Sequence, residues 1–154
     1  MAEPSPLHTG GCQCGDIRYA LSAEPFNPHV CHCRMCQKAS GGLFMPFASV
    51  NLESFAWTRG SPGIFKSSAV AERGFCRSCG TPLSYRNIEN AWISLTTGSF
   101  DEPERLPPAV QLGVESRMSW FARLDGLPGI ATEDQFGAAS YAKFASRQHP
   151  DFEG

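Results

Sequence analysis

Gly74-Phe75-Cys76-Arg77-Ser78-Cys79-Gly80 is the stretch on which the reading of this chain turns. A C-x-x-C on a tight turn brings both sulfurs to one side, and a glycine beside the second cysteine suits the turn's backbone. Two sulfurs do not complete a metal site, so a partner pair is needed. It lies upstream in Gly10-Gly11-Cys12-Gln13-Cys14-Gly15, with the same punctuation by glycine before and after. A C-x-C on an extended segment also puts both sulfurs on one side, because strand side chains alternate. Cys12, Cys14, Cys76 and Cys79 together supply the four thiolates that a closed, tetrahedral structural zinc takes. The competing reading is four buried thiols with no metal. A metal there ties the start of the domain to its middle and adds its binding free energy to the fold.

The remaining cysteines read differently. Cys31-His32-Cys33-Arg34-Met35-Cys36 offers three sulfurs, and three protein ligands with one open position is the pattern of a catalytic zinc. Thiolate donors favour a soft fourth ligand such as a substrate thiolate, so the chemistry expected is thiol activation. Closing the site as Cys3His requires His29, His32 or His8. His32 alternates away from its neighbours on an extended segment, whereas His29, two residues before Cys31, is within reach. A metal-free redox thiol cluster is the third possibility. Arg34 is a candidate for steering an anionic substrate, and Ser40-Gly41-Gly42 for offering backbone N–H groups to a carboxylate. Trp57, Trp92 and Trp120 are read as packing residues before pocket residues.

Composition limits what surrounds these groups. With 154 residues, 42% hydrophobic and 18% charged, the chain suits a single globular domain. Fifteen glycines and twelve prolines argue for short strands and turns over a helical bundle. A net charge of −2 and a pI near 6.1 give no electrostatic reason to expect nucleic acid or an anionic membrane. No apolar run approaches the roughly 20 residues of a membrane span, and Met1 to Gly10 has no features of a secretory signal. A cytoplasmic protein is expected, in which a disulfide framework of seven cysteines is disfavoured.

Along the chain, residues 1–9 read as a flexible polar arm. Ile17, Tyr19 and Leu21 alternate as a half-buried strand. Phe26 to Gly42 reads as a loop with one helical turn. Strands are predicted at Phe44–Val50, near Trp57, at Ile64–Ser68, Val70–Phe75, Leu83–Arg86, Trp92–Thr97 and Val110–Glu115, and Gly60-Ser61-Pro62-Gly63 is a turn. Asp101–Pro108 is a proline-rich connector, and Trp120–Leu124 is apolar enough to pack. One C-terminal helix is predicted, opened by a Thr132/Gln135 capping box and ended by Pro150, with Phe136, Tyr141 and Phe144 on one face.

These motifs, together with Arg18-Tyr19, Phe65-Lys66-Ser67-Ser68, Gly98-Ser99-Phe100-Asp101, Trp120-Phe121 and Gly126-Leu127-Pro128, resemble the glutathione-dependent formaldehyde-activating enzyme family, which includes the centromere protein V relatives. The resemblance covers residues 10–130 and implies a mainly β zinc-binding fold, the β-tent, here followed by a short C-terminal helix and tail over 131–154. It implies two zinc ions per chain: Cys12, Cys14, Cys76 and Cys79 as structural ligands, and Cys31, Cys33 and Cys36 as catalytic ligands. The activity implied is that of a carbon–sulfur lyase that makes or breaks adducts between glutathione, or a similar small thiol, and formaldehyde. A non-catalytic zinc module that binds a ligand or protein is the alternative.

Overall fold

A computed structural model describes residues 5–152; residues 1–4 of the expected arm and 153–154 of the tail lie outside them. Among the described residues, short strands follow one another with brief connections, as the glycine and proline spacing predicts. The first five are β1 (His8–Gly11), β2 (Arg18–Leu21), β3 (Phe26–Cys31), β4 (Met45–Asn51) and β5 (Phe55–Arg59), with helix α1 (Arg34–Ser40) between β3 and β4. They are followed by β6 (Gly63–Lys66), β7 (Ala71–Phe75), β8 (Pro82–Asn87), β9 (Trp92–Thr96) and β10 (Val110–Leu112). Two short helices, α2 (Thr132–Phe136) and α3 (Ala138–Tyr141), come last.

The strands form two sheets. One is antiparallel, in the order β1-β2-β5. The other has the order β10-β3-β4-β9-β8-β7-β6; its neighbours are antiparallel except β10, which lies parallel to β3 at the edge. Tyr19 and Leu21 of β2 point inward with Val50, Leu83 and Leu95, all at most 1% exposed, and Cys12 and Cys76 belong to the same core. A smaller cluster of Cys36, Met45 and Phe47, with Cys31, Cys33 and Tyr85 against it, lies apart. The two cysteine groups therefore sit in different parts of the hydrophobic interior.

Three local expectations are corrected. The arm is shorter than predicted, because His8 and Thr9 pair with Leu21 and Ala20. The Phe26–Gly42 loop is a strand and a seven-residue helix: Asn27 at φ 49 and a register shift between Phe26 and His29 hide the strand's alternation. The C-terminal helix is broken at Gly137, φ 71, and Ala131 occupies the N-cap with no side-chain hydrogen bond. Thr132 is already inside the helix, so the capping box does not form; the Phe136 and Phe144 rings nonetheless stack at 4.5 Å across the break. No helix among the described residues is long and apolar enough to cross a membrane.

Candidate metal centres

The first group is assembled from two turns that end alike. Gly15 N–H donates to the Cys12 carbonyl at 3.1 Å and Gly80 N–H to the Cys76 carbonyl at 3.0 Å; the two glycines have φ of +80 and +79. Such angles strain any residue with a β-carbon, which accounts for glycine after each pair. Cys12 and Cys14 thus sit on a tight turn, as the flanking glycines imply, and the alternation of an extended C-x-C is not what brings their sulfurs together. The sulfurs of Cys12, Cys14, Cys76 and Cys79 all lie within 4.8 Å of one another. Cys12 and Cys14 are 3.6 Å apart and Cys14 and Cys76 3.7 Å. A tetrahedron with metal–sulfur bonds of about 2.3 Å places its sulfurs about 3.8 Å apart.

Polar contacts hold this group without closing it. The Ile17 N–H donates to Cys12 Sγ at 3.3 Å. Thr81 Oγ1 lies 3.2 Å from Cys79 Sγ and accepts from the Gln13 N–H at 3.0 Å, bridging the turns. Burial pushes the Cys79 thiol up, but hydrogen bonds from Thr81 and Cys14 outweigh it and bring the group down to about 6. At Cys14 a backbone hydrogen bond from Asp16 pulls downward; burial and the neighbouring thiols overcome it and push the thiol up to about 12. Four thiols this close resist ionising together unless a cation sits among them.

The second group is built by the β3–α1 junction. Cys31 closes β3, and Cys33 is the N-cap of α1, its sulfur accepting from the Cys36 N–H at 3.4 Å. Cys36 lies in the first turn, and the three sulfurs are within 4.8 Å of one another. Burial raises Cys31 and carries Cys36 up to about 12, whereas the Cys36 N–H and the other thiols hold Cys33 below its ordinary value despite burial. Gly113, φ +63, packs so closely that a β-carbon there would fall 2.7 Å from Cys33 N. The group borders a cavity of about 290 Å³ whose walls include His29, Phe47, Tyr85, Trp92 and Arg73.

Among the described residues no histidine or carboxylate joins either group at ligand spacing. His29 faces the cavity with its Nδ1 on the Asn27 carbonyl at 2.8 Å. His32 is fully buried, its Nε2 on Gln111 Oε1 at 2.9 Å and its ring 4.9 Å from that of Phe121. His8 is paired with Glu24 at 2.8 Å. Arg34 bonds Gln37 at 2.6 Å and borders a neighbouring cavity of about 480 Å³. Ser40-Gly41-Gly42 ends α1, with Gly41 left-handed and the Gly42 N–H on Ser40 Oγ. Trp57 packs on the core, Trp92 borders the second group's cavity, and Trp120 is 37% exposed.

Arg73 is part of the motif that carries the family resemblance, Arg73-Gly74-Phe75-Cys76-Arg77-Ser78-Cys79-Gly80, but the sequence assigns it no role at the site. It is 7% exposed, and its Nη2 donates to Cys36 Sγ at 3.4 Å. Its Nε is buried without a hydrogen-bond partner among the described residues. A buried cation against one sulfur of the three fits a group that carries negative charge, as three thiolates around a divalent ion do. Each cysteine group could therefore hold a metal ion, and the all-sulfur donor sets suit zinc. The only cue to Arg73 in the sequence is its place in the strand leading to Cys76.

Fold and sites together define a mainly β protein of short strands carrying a four-cysteine and a three-cysteine group. The chain belongs to the glutathione-dependent formaldehyde-activating enzyme family, whose model matches residues 7–116. It is 33% identical over 90 residues to an uncharacterized lyase of Schizosaccharomyces pombe, covering 57% of this chain and 65% of that protein. It is 32% identical over 80 residues to a protein of Podospora anserina provisionally named a glutathione-dependent formaldehyde-activating enzyme, covering 51% of this chain and 37% of the relative. A protein of Phaeosphaeria nodorum with the same provisional name is 27% identical over 81 residues, covering 51% and 43%. The chain thus matches less than two thirds of the length of each of these relatives. The crystal structure of a Rhodobacter sphaeroides protein shares the fold, with TM-score 0.55 at 18% identity over 67% of this chain and 98% of that one.

Proposed function

We propose that this protein is a zinc-dependent carbon–sulfur lyase that forms or cleaves adducts between a small thiol, glutathione or a similar one, and a small aldehyde such as formaldehyde. The observation that carries this reading is the second cysteine group: three sulfurs at the edge of a cavity, with no fourth ligand at that spacing among the described residues. Family membership and the names of the relatives support the same chemistry. Cys31, Cys33 and Cys36 would hold one zinc, and Cys12, Cys14, Cys76 and Cys79 the other. Residues 10–130 would form the functional unit, with 131–154 as an appended helix and tail, in a cytoplasmic protein.

Bound zinc would lower the pKa of an entering thiol. The chain's own part would be to hold three sulfurs, on a strand end and a capped helix start, at the edge of the cavity through which a thiol would enter. In the addition, the sulfur lone pair forms the S–C bond, the carbonyl π pair moves to oxygen, and that oxygen takes up the proton the thiol released. Reversal breaks the same bond and returns thiol and aldehyde.

Zinc per chain by elemental analysis, followed by exchange NMR of glutathione and formaldehyde with and without protein, tests the proposal. Two zinc ions and adduct formation above the spontaneous rate are expected. One zinc, or no rate change with both present, overturns the lyase reading in favour of a binding module.

A further inference from the structure

Two arginines are buried beneath this surface, and they are treated differently. Arg18, 5% exposed, has a carboxylate, Asp101, on both terminal nitrogens. Arg73, 7% exposed, makes no ion pair with a carboxylate among the described residues. Its guanidinium meets Cys36 Sγ at 3.4 Å through Nη2 and Met45 Sδ at 3.9 Å through Nη1, and lies 5.0 Å from the centre of the Tyr85 ring. The thioether and the aromatic face are weak partners for a full charge. Burial of a cation is unfavourable unless an anion balances it, and the anionic candidate in contact among the described residues is the Cys36 sulfur.

Position adds a second argument. Arg73 borders both the 290 Å³ cavity of the cysteine group and the 480 Å³ cavity rimmed by Arg34 and Lys38. A group approaching the three sulfurs through the 290 Å³ cavity therefore comes under its charge. Three thiolates around a divalent ion leave one net negative charge, and a thiolate in the fourth position makes two. A partly desolvated site resists that second charge unless a fixed cation offsets it. A neutral ligand adds no charge and has no such need.

We propose that Arg73 is a positioning residue that makes the Cys31–Cys33–Cys36 site selective for a thiolate over a neutral fourth ligand. This rests on the open-site reading above and adds to it the source of ligand discrimination. Lysine retains the charge without the planar fork, glutamine retains hydrogen bonding without the charge, and methionine retains only the bulk.

The test uses the full chain loaded with cobalt(II), whose absorption bands report the ligands, titrated separately with 2-mercaptoethanol and with imidazole. R73M is expected to weaken thiol binding by roughly ten- to a hundredfold, the scale of one charge–charge interaction lost in a partly desolvated site. Imidazole affinity should change by less than about threefold, since a neutral donor has little to lose with the charge. R73K should recover most of the thiol affinity. R73Q makes the same comparison should R73M not fold, and unchanged bands from the four-cysteine site verify the frame. Equal losses for both ligands, or none for the thiol, overturn the assignment to Arg73 while leaving the open site standing. A wild-type protein whose bands ignore thiol overturns the open-site reading and this inference with it.

Discussion

Arg18 and Asp101 are joined by two hydrogen bonds, Nη1 to Oδ1 at 3.0 Å and Nη2 to Oδ2 at 2.6 Å, with side chains 6% and 3% exposed. Thr9 Oγ1 donates to the same carboxylate, and Asp101 N–H donates to the Thr9 carbonyl. The pair locks β1 and β2 to the segment after β9, beside the turn that carries Cys12 and Cys14. Removing one partner leaves the other charge buried alone, so D101N is expected to cost about 3 kcal/mol, read by urea denaturation near neutral pH.

The same pair sets a pH dependence. Burial pushes the Asp101 carboxyl up, but hydrogen bonds from Arg18 and Thr9 outweigh it and hold the group below its ordinary value. A carboxylate depressed in the folded state contributes fully above its unfolded pKa of about 3.9 and loses that contribution as pH falls through the folded value. Acid also protonates the cysteine sulfurs, so the Asp101 share is the gap between wild type and D101N. That gap should narrow as pH falls below about 4; a constant gap down to full protonation would contradict the assignment.

Cys76→Ser removes a core sulfur, 1% exposed, from the four-cysteine group. If that group holds zinc, the loss should exceed about 4 kcal/mol, the linkage value for a ligand at a thousandfold its Kd. Thermal unfolding with and without a chelator reads this: the chelator should lower the wild-type Tm sharply and affect C76S much less.

Cys33→Ser should separate the two groups. Serine can still cap α1 by accepting from the Cys36 N–H, so the stability of the metal-free protein should change by no more than about 1 kcal/mol. Zinc per chain should fall from two to one and the thiol response of cobalt-loaded protein should vanish. Retention of both metals would place the second ion elsewhere.

Gly113→Ala acts on the same site from the residue that follows β10. The left-handed backbone costs about 1 kcal/mol for a residue with a β-carbon. The added atom also meets Cys33 N at 2.7 Å and Cys33 Cβ at 3.1 Å. Chelator competition should show weaker metal binding at the three-cysteine group and unchanged binding at the four-cysteine group.

Much of this was legible because local chemistry dictates it. Glycine after each cysteine pair marks a left-handed turn, and the alternation through Ile17, Tyr19 and Leu21 marks a core-facing strand. The C-terminal helix was legible in composition but not in continuity, since Gly137 adopts a conformation its neighbours do not announce. β3 was hidden because Asn27 and Pro28 interrupt its pattern, and its pairing with β4 and β10 is long-range.

By itself, the sequence determined the mainly β class and the three local cysteine clusters, Cys12–Cys14, Cys31–Cys33–Cys36 and Cys76–Cys79, because spacing along a turn or helix start fixes which neighbouring sulfurs can share a point. The tertiary structure alone decided that Cys12–Cys14 meets Cys76–Cys79 within 4.8 Å, that His32 turns to Gln111 and His29 to the cavity, and that Arg73 lies against Cys36. Those contacts join residues far apart in the chain. Only the packing of sheets, which no local propensity encodes, brings them together.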